Sequence, residues 1–337
     1  MKTIESMDNR GRFELGNVSK GLIGIGVSAA FIALTLRGID LTQVKNHLRE
    51  IDVGMLPHII ISLTIIFLYK AFRWQYQMSP MKRIAFGQSL SAIIIGYMAN
   101  NVVPLRGGDL LRAHLLGRQE NIGTTAVFAT VALERIFDVL SLVTLSLIIL
   151  LMVPLPNWLR HSVIILGAIL LGCIIFIIMF RSRTKLFEKW WEIVRCRLPG
   201  KMQEILSTSI KQVHLGLETA RGRARLTNLY ILAVAEWALW GLLANYSLQA
   251  LGIQLSIAAT MTTVIATNLA LLIPAAPGNI GVFDYAVMTT LEFFQFDKSI
   301  ALSGAVIVHA IFVIPVSLVG LLFFIREWLV PKGGISK

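Results

Sequence analysis

Apolar runs of about 18 residues or more recur along this chain, and they leave it little choice of fold. The bilayer core offers no water to an exposed amide or carbonyl, so a crossing segment satisfies its own backbone by coiling into a helix. The 337 residues are 55% hydrophobic and 15% charged, too little charge for a soluble protein of that length. The expectation is an all-α polytopic membrane protein, a single integral membrane domain over residues 1–337.

Two stretches interrupt the pattern. Residues 97–113 set two Asn, a Pro, two Gly, an Asp and two Arg side by side. Pro104 lacks an amide donor, and Gly107 and Gly108 allow backbone angles that other residues avoid. A helix entering here should end near Pro104 and restart near Asp109. In lipid, such a break is tolerated only where protein or a watery cavity covers the freed backbone groups. The stretch therefore predicts a polar cavity at membrane depth, near Arg106, Asp109 and Arg112. Residues 274–284 form the second break, with Pro274, Pro277, Gly278 and Gly281 as backbone devices and Asn279 and Asp284 as polar groups.

Lys and Arg favour the cytoplasmic side of a membrane, so their placement orients the spans. About six full spans are expected, over residues 21–36, 54–72, 122–153, 161–180, 227–251 and 300–325, plus two re-entrant broken-helix hairpins; the 122–153 segment is too long for one upright crossing and is expected to be tilted or broken. A short amphipathic helix over 41–51 lies outside, at the interface. Lys70, Arg73, Lys82 and Arg83 read as the cytoplasmic end of the second span, with Trp74 and Tyr76 in the interfacial belt. Both termini fall in the cytoplasm, and no cleavable signal peptide is evident before the first span. The net charge of +12 follows from this loop bias rather than from nucleic-acid binding. Residues 181–226 form a basic segment that reads as amphipathic helices on the anionic inner leaflet, or equally as a solvated helix pair.

A shift of 170 residues lays Pro104 on Pro274, Gly108 on Gly278 and Asp109 on Asn279. With about five residues inserted, Glu134 then falls opposite His309. Each half reads span, broken hairpin, span: repeat A over about 54–153 and repeat B over about 227–325. The charge bias runs the halves in opposite directions. Inverted repeats with discontinuous helices are a transporter architecture, with the substrate held between the breaks.

The candidate site residues follow. Arg106 and Arg112 suit an anionic headgroup, since a guanidinium fork matches phosphate and stays charged at any depth. The alternative is that both anchor topology at the inner interface. Asp109, three residues before Arg112, orients it or caps the restarted helix. Glu134 and Asp138 share a helix face with Arg135 beside them. Ionisable groups in a span usually face a cavity or bundle interior, so these are a proton-coupling carboxylate, partners for the arginines, or an ion-pair lock between helices. Asp284 balances a cation or caps the next helix, and Glu236 and His309 lie inside expected spans. Trp237 and Trp240 read as packing or interface residues. No nucleophile elbow, P-loop, zinc spacing or dinucleotide fingerprint occurs, so no cofactor or metal is expected.

The motifs Asn-x-x-Pro-x-Arg-Gly-Gly-Asp-x-x-Arg (101–112), Glu-Arg-x-x-Asp (134–138) and Pro-x-x-Pro-Gly-x-x-Gly-x-x-Asp (274–284) resemble the flippase-like membrane family. That family includes the transmembrane region of lysylphosphatidylglycerol synthases, and the resemblance covers about residues 21–325. Many relatives carry Glu where this chain has Asp284 and Gly where it has Asn279. The resemblance implies movement of a polar or anionic lipid between leaflets: a phospholipid, a glycolipid or a polyprenyl-phosphate carrier. It does not carry the synthase activity, which in those enzymes belongs to an additional soluble domain.

The leading expectation is thus a non-enzymatic lipid translocase of a bacterial or archaeal inner membrane, with proton or ion coupling left open. The rival is a membrane scaffold presenting lipid to a separate enzyme, docked through the basic 181–226 segment. A headgroup transferase using Glu134 or Asp138 as base is a third reading. A homo-oligomer and a lipid-modifying enzyme are the partners left open.

Overall fold

The computed structural model describes residues 25–103, 107–153, 155–181, 215–216, 218–273 and 275–329. Among these every regular element is a helix. Helix α1 (Ile25–Leu36) meets α2 (Leu41–Arg49) at 86°. Gly38, at φ +74°, makes that corner, and the Asp40 side chain caps α2 by accepting from the Thr42 amide. A 3₁₀ turn (Val53–Met55) leads into α3 (Leu56–Met78). Then come α4 (Phe86–Val102), α5 (Gly107–Glu120), α6 (Thr124–Leu150) and α7 (Asn157–Arg181). The second half holds α8 (Arg223–Gln249), α9 (Ile257–Ala270), a 3₁₀ turn (Pro277–Asn279), α10 (Val282–Phe293) and α11 (Lys298–Leu329).

Three segments are long and apolar enough to cross a membrane: Val53–Met78, Arg223–Gln249 and Lys298–Glu327. The bent pair α1–α2 makes a fourth if it counts as one span. α6 is one unbroken 27-residue helix, although Glu134, Arg135 and Asp138 interrupt its apolar sequence. α3 runs past the expected end of the second span to Met78, carrying Lys70, Arg73 and Trp74 in its interior.

The two expected breaks fall where Pro and Gly place them. α4 ends at Val102 and α5 begins at Gly107, while Pro104 and Arg106 lie outside the described residues. α9 ends at Ala270 and α10 begins at Val282; Pro274 also lies outside them, as does most of the basic 181–226 segment.

The chain forms two compact units. Unit 1 comprises Met1–Ile61, Tyr97–Gly108 and Gly241–Leu322; unit 2 comprises Ser62–Gly96, Asp109–Trp240 and Phe323–Lys337. In unit 1, α9 packs on α10, and a buried core gathers Val44, Leu248, Phe283, Val287, Leu291 and Ala305. Gly304 lets α11 approach closely: a Cβ there would stand 3.0 Å from Leu248 and Leu291. In unit 2, α6 packs on α7, and Leu133, Phe137, Leu229 and Ala233 form a second core.

Candidate functional site

Unit 2 contains a closed ring of buried charges. α3 carries Lys70 and Arg73 one helical turn apart, and both are almost fully buried. Lys70 Nζ donates to Glu236 Oε1 of α8 and stands 3.9 Å from Glu134 Oε1 of α6. Arg73 Nη1 lies 2.6 Å from Glu236 Oε2 and 2.6 Å from Asp138 Oδ1. Asp138 Oδ2 lies 3.5 Å from Arg135 Nη1. Arg135 then grips Asp109 of α5, with Nη2 at 2.9 and 3.0 Å and Nε at 3.2 Å from its two oxygens. Asp109 Oδ1 is 3.3 Å from Arg112 Nε, and Arg112 Nη1 is 3.2 Å from Glu134 Oε2, which returns the chain of contacts to Lys70. Four cations alternate with four carboxylates around the ring.

Balance of this kind is what permits burial. An ion taken from water into an apolar interior loses several kcal/mol of hydration, which only close opposite charges and hydrogen bonds offset. The helices supply the register: Asp109 and Arg112 are three apart on α5, and Glu134 and Asp138 four apart on α6. Aromatic and hydroxyl groups line the outside. The Arg112 guanidinium lies 5.1 Å over the Trp74 ring, and Trp74 Nε1 donates to Thr130 Oγ1 at 3.2 Å. Trp237 Nε1 donates to Ser141 Oγ at 2.9 Å.

The ring opens at one point. The Arg112 side chain is fully buried, whereas that of Arg135 is 30% exposed. Of the ring's three guanidinium groups, that of Arg135 is therefore the one open to the surface. An anion arriving there would compete with Asp109, which keeps Arg112 as its second partner.

Unit 1 holds a separate polar cluster at the second break. Gly278, Asn279 and Gly281 all have positive φ, at +72°, +57° and +86°, so the backbone reverses sharply here. Asp284 Oδ2 accepts from the Gly281 amide at 2.9 Å, and Oδ1 faces His309 Nδ1 at 2.9 Å. His309 Nε2 faces the Gly278 carbonyl at 2.8 Å. The Phe283 ring stacks on the imidazole with centroids 4.4 Å apart. The Ala276 amide donates to Ser28 Oγ of α1 at 2.9 Å. At the first break the Gly108 amide donates to Asn100 Oδ1 at 2.9 Å, the same device of a side chain meeting a freed backbone group.

Five expected site residues, Asp109, Arg112, Glu134, Arg135 and Asp138, thus meet in the ring; Asp284 and His309 meet in unit 1. Asn279 contributes backbone, its amide donating to the Ala276 carbonyl. Arg106 lies outside the described residues. Lys70, Arg73 and Trp74 are not the interfacial end of a span: they are buried, and the two cations carry half of the ring's positive charge. The sequence hinted at them only through Glu236, alone in an apolar run; that the helix continues for four residues past Trp74 is seen in the structure. A cavity of about 300 Å³ lies beside this region, lined by Phe72, Gln75, Tyr76, Ser79, Arg83 and Ile84, none of them in the ring. Among the described residues no cluster of three or more His, Cys, Asp or Glu is placed to hold a metal ion.

The sequence model of the lysylphosphatidylglycerol synthase TM region matches residues 21–320. Among curated proteins, a UPF0104 membrane protein of Methanocaldococcus jannaschii is 25% identical over 68% of this chain and 94% of its own length. A UPF0104 membrane protein of Pyrococcus horikoshii is 26% identical over 89% of this chain and 95% of its own. The glycosyltransferase AglD of Haloferax volcanii is 22% identical over 86% of this chain, which spans 51% of AglD. No solved structure matches.

Proposed function

This chain belongs to the lysylphosphatidylglycerol synthase transmembrane family, and we propose that it moves a lipid with a polar or anionic headgroup from one leaflet to the other. The ring of eight charges carries the reading. Ionisable groups within apolar helices are costly and usually mark a substrate path or cavity. In this reading the headgroup meets the ring at its open edge, where Arg135 exchanges Asp109 for a phosphate or sugar oxygen. Asp109 stays charge-balanced by Arg112, so no carboxylate is stranded during the exchange. One relative is named as a glycosyltransferase, which favours a sugar-bearing headgroup among the lipid classes.

The architecture we infer has six spans and two re-entrant hairpins in inverted repeats, with both termini in the cytoplasm of a cell whose inner membrane holds the protein. Each break is followed by a polar pair joining the post-break helix to the next one. In the first half it is Arg112 with Glu134, and in the second Asp284 with His309. That parallel supports the repeat, whose rocking about the breaks would expose the headgroup alternately to each side. The protein itself performs no bond chemistry in this reading.

The test is leaflet exchange in proteoliposomes with fluorescent phosphatidylglycerol, a neutral phospholipid, a glycolipid and a polyprenyl phosphate. Arg135→Gln should slow exchange of the preferred lipid about ten- to a hundredfold, the loss expected for one charged hydrogen bond of about 1.5–3 kcal/mol. Its thermal unfolding should stay near that of the parent, because the side chain is partly exposed. Exchange unaffected by the substitution would remove Arg135 from the path. No exchange of any lipid by the folded protein would favour a scaffold that presents lipid to an enzyme.

A further inference from the structure

We propose that His309 and Asp284 form a proton-binding site, with one exchangeable proton held between Nδ1 and Oδ1, and that this proton holds the second helix break closed. As a coupling site it deepens the translocase reading; as a proton site it stands on geometry alone.

A carbonyl oxygen only accepts, so the hydrogen bond to Gly278 requires a proton on His309 Nε2. The other ring nitrogen faces a carboxylate oxygen at 2.9 Å. If Nδ1 were bare and Asp284 ionised, two lone pairs would point at each other in a buried site. One further proton must therefore lie on that axis. It makes either an imidazolium with a carboxylate or a neutral imidazole with a carboxylic acid, and both have no net charge. Asp284 Oδ2 is already occupied by the Gly281 amide, which leaves Oδ1 as the oxygen that shares the proton.

Two backbone groups of the break hang on this pair. His309 holds the Gly278 carbonyl, and Asp284 holds the Gly281 amide. Withdrawal of the proton to water leaves a net charge of minus one and removes the hydrogen from one of the contacts. Either the imidazole keeps Gly278 and repels Asp284, or it turns to Asp284 and releases Gly278. The first pushes Asp284 away from the imidazole while it still holds the Gly281 amide, and the second leaves the Gly278 carbonyl to find another partner in an apolar setting.

Among the described residues, the elements packed around the break bring few other ionisable groups. α1, which packs on the break through Val27, Ser28 and Phe31, contains no ionisable residue over 25–36, and α9 none over 257–270. On α10 the other titratable groups are Tyr285, whose ring meets Phe31, and Glu292, more than two turns on. On α11, Lys298 stands at the helix start and Arg326 and Glu327 near its end, while Tyr97 of α4 meets Phe312. α2 reaches this core through Val44 and Leu48, with Lys45 and Arg49 exposed. From α3 and α8 come His58 and Tyr246, which pack on each other. Asp284 is the carboxylate that His309 faces.

The decisive variant is Asp284→Asn. An amide can present its oxygen to the Gly281 amide and donate from its nitrogen to a bare Nδ1, while Nε2–H keeps Gly278. Every contact survives with a neutral imidazole, and the extra proton is no longer required. Nitrogen-15 resonances of the histidine rings in the full-length protein, assigned through the loss of one set in His309→Gln, read the site directly. At pH 7 His309 should show a proton on Nε2 and a shared one at Nδ1. In Asp284→Asn it should show the neutral Nε2–H form at the same pH. A bare Nδ1 on wild-type His309 at that pH would overturn the proposal.

Coupling is then read in proteoliposomes. Leaflet exchange by the parent should change by up to about tenfold per pH unit of imposed gradient, the ratio by which the proton activity on the two sides differs, and Asp284→Asn should exchange lipid at a rate indifferent to the gradient. A shared proton with gradient-independent exchange in the parent would overturn the coupling. A shared proton with no exchange at all would instead sink the translocase reading and leave the proton site standing.

Discussion

Glu236 is the residue on which the ring depends most visibly, because it accepts from two buried cations at once. Removing one partner of a buried ion pair leaves an uncompensated charge and costs about 3–5 kcal/mol. Glu236→Gln should therefore lower the thermal unfolding midpoint in detergent strongly. Adding Lys70→Met to it restores charge balance and should recover part of the loss; contacts of this kind are not additive. An unchanged midpoint in the single variant would mean that the ring does not stabilise unit 2. At this scale the sequence was half legible. Glu134, Arg135 and Asp138 announce themselves by interrupting an apolar run, and Asp109 and Arg112 by their setting beside a Pro-Gly break. Lys70 and Arg73 do not, because cations near the end of an apolar run look the same whether they meet lipid headgroups or a partner helix that arrives far later in the chain. Arg73 and Glu236 are 163 residues apart, beyond the reach of any local pattern.

The breaks show how much of an element's ending is written locally. Pro and Gly mark both, and the helices stop and restart within a few residues of where those residues demand. What they do not mark is the partner that satisfies the opened backbone. The Gly281 conformation makes this testable. A Cβ there would stand 2.7 Å from the Ser28 carbonyl oxygen and 2.9 Å from Ile32, on top of the strain of φ +86°. At Gly278, with φ +72°, a Cβ would meet nothing nearer than 3.6 Å. Gly278→Ala should thus cost about 1–2 kcal/mol, the penalty of left-handed backbone alone. Gly281→Ala should cost distinctly more, since α1 has to move; thermal unfolding of the two variants compares them. Equal effects would mean that α1 gives way freely. The unbroken course of α6 has its own reason: its three ionisable residues find partners on α3 and α5, so no break was needed to bring them to water.

For the molecule as a whole, the inverted repeat we propose makes a directional claim. A cysteine placed at Ala276 should react with a membrane-impermeant maleimide added from outside the cell, and one placed at Gly107 with reagent supplied from the cytoplasm. Labelling of both from one side would rule out opposite orientation of the two halves. The ring of charges also bears on how the protein is made. α3 emerges from the ribosome with Lys70 and Arg73 already in its second half; a cation at the centre of a lone span opposes insertion by about 2.5–3.5 kcal/mol, and these, nearer its end, by less. Their partners on α5 and α6 follow soon, but Glu236 comes 163 residues after Arg73. At about 5–20 residues per second, that is a delay of about 10–30 s. During that interval Lys70 and Arg73 lack the carboxylate that both share in the folded protein. Glu236→Gln makes that lack permanent, and in the cell it should show as a chain degraded faster than the parent.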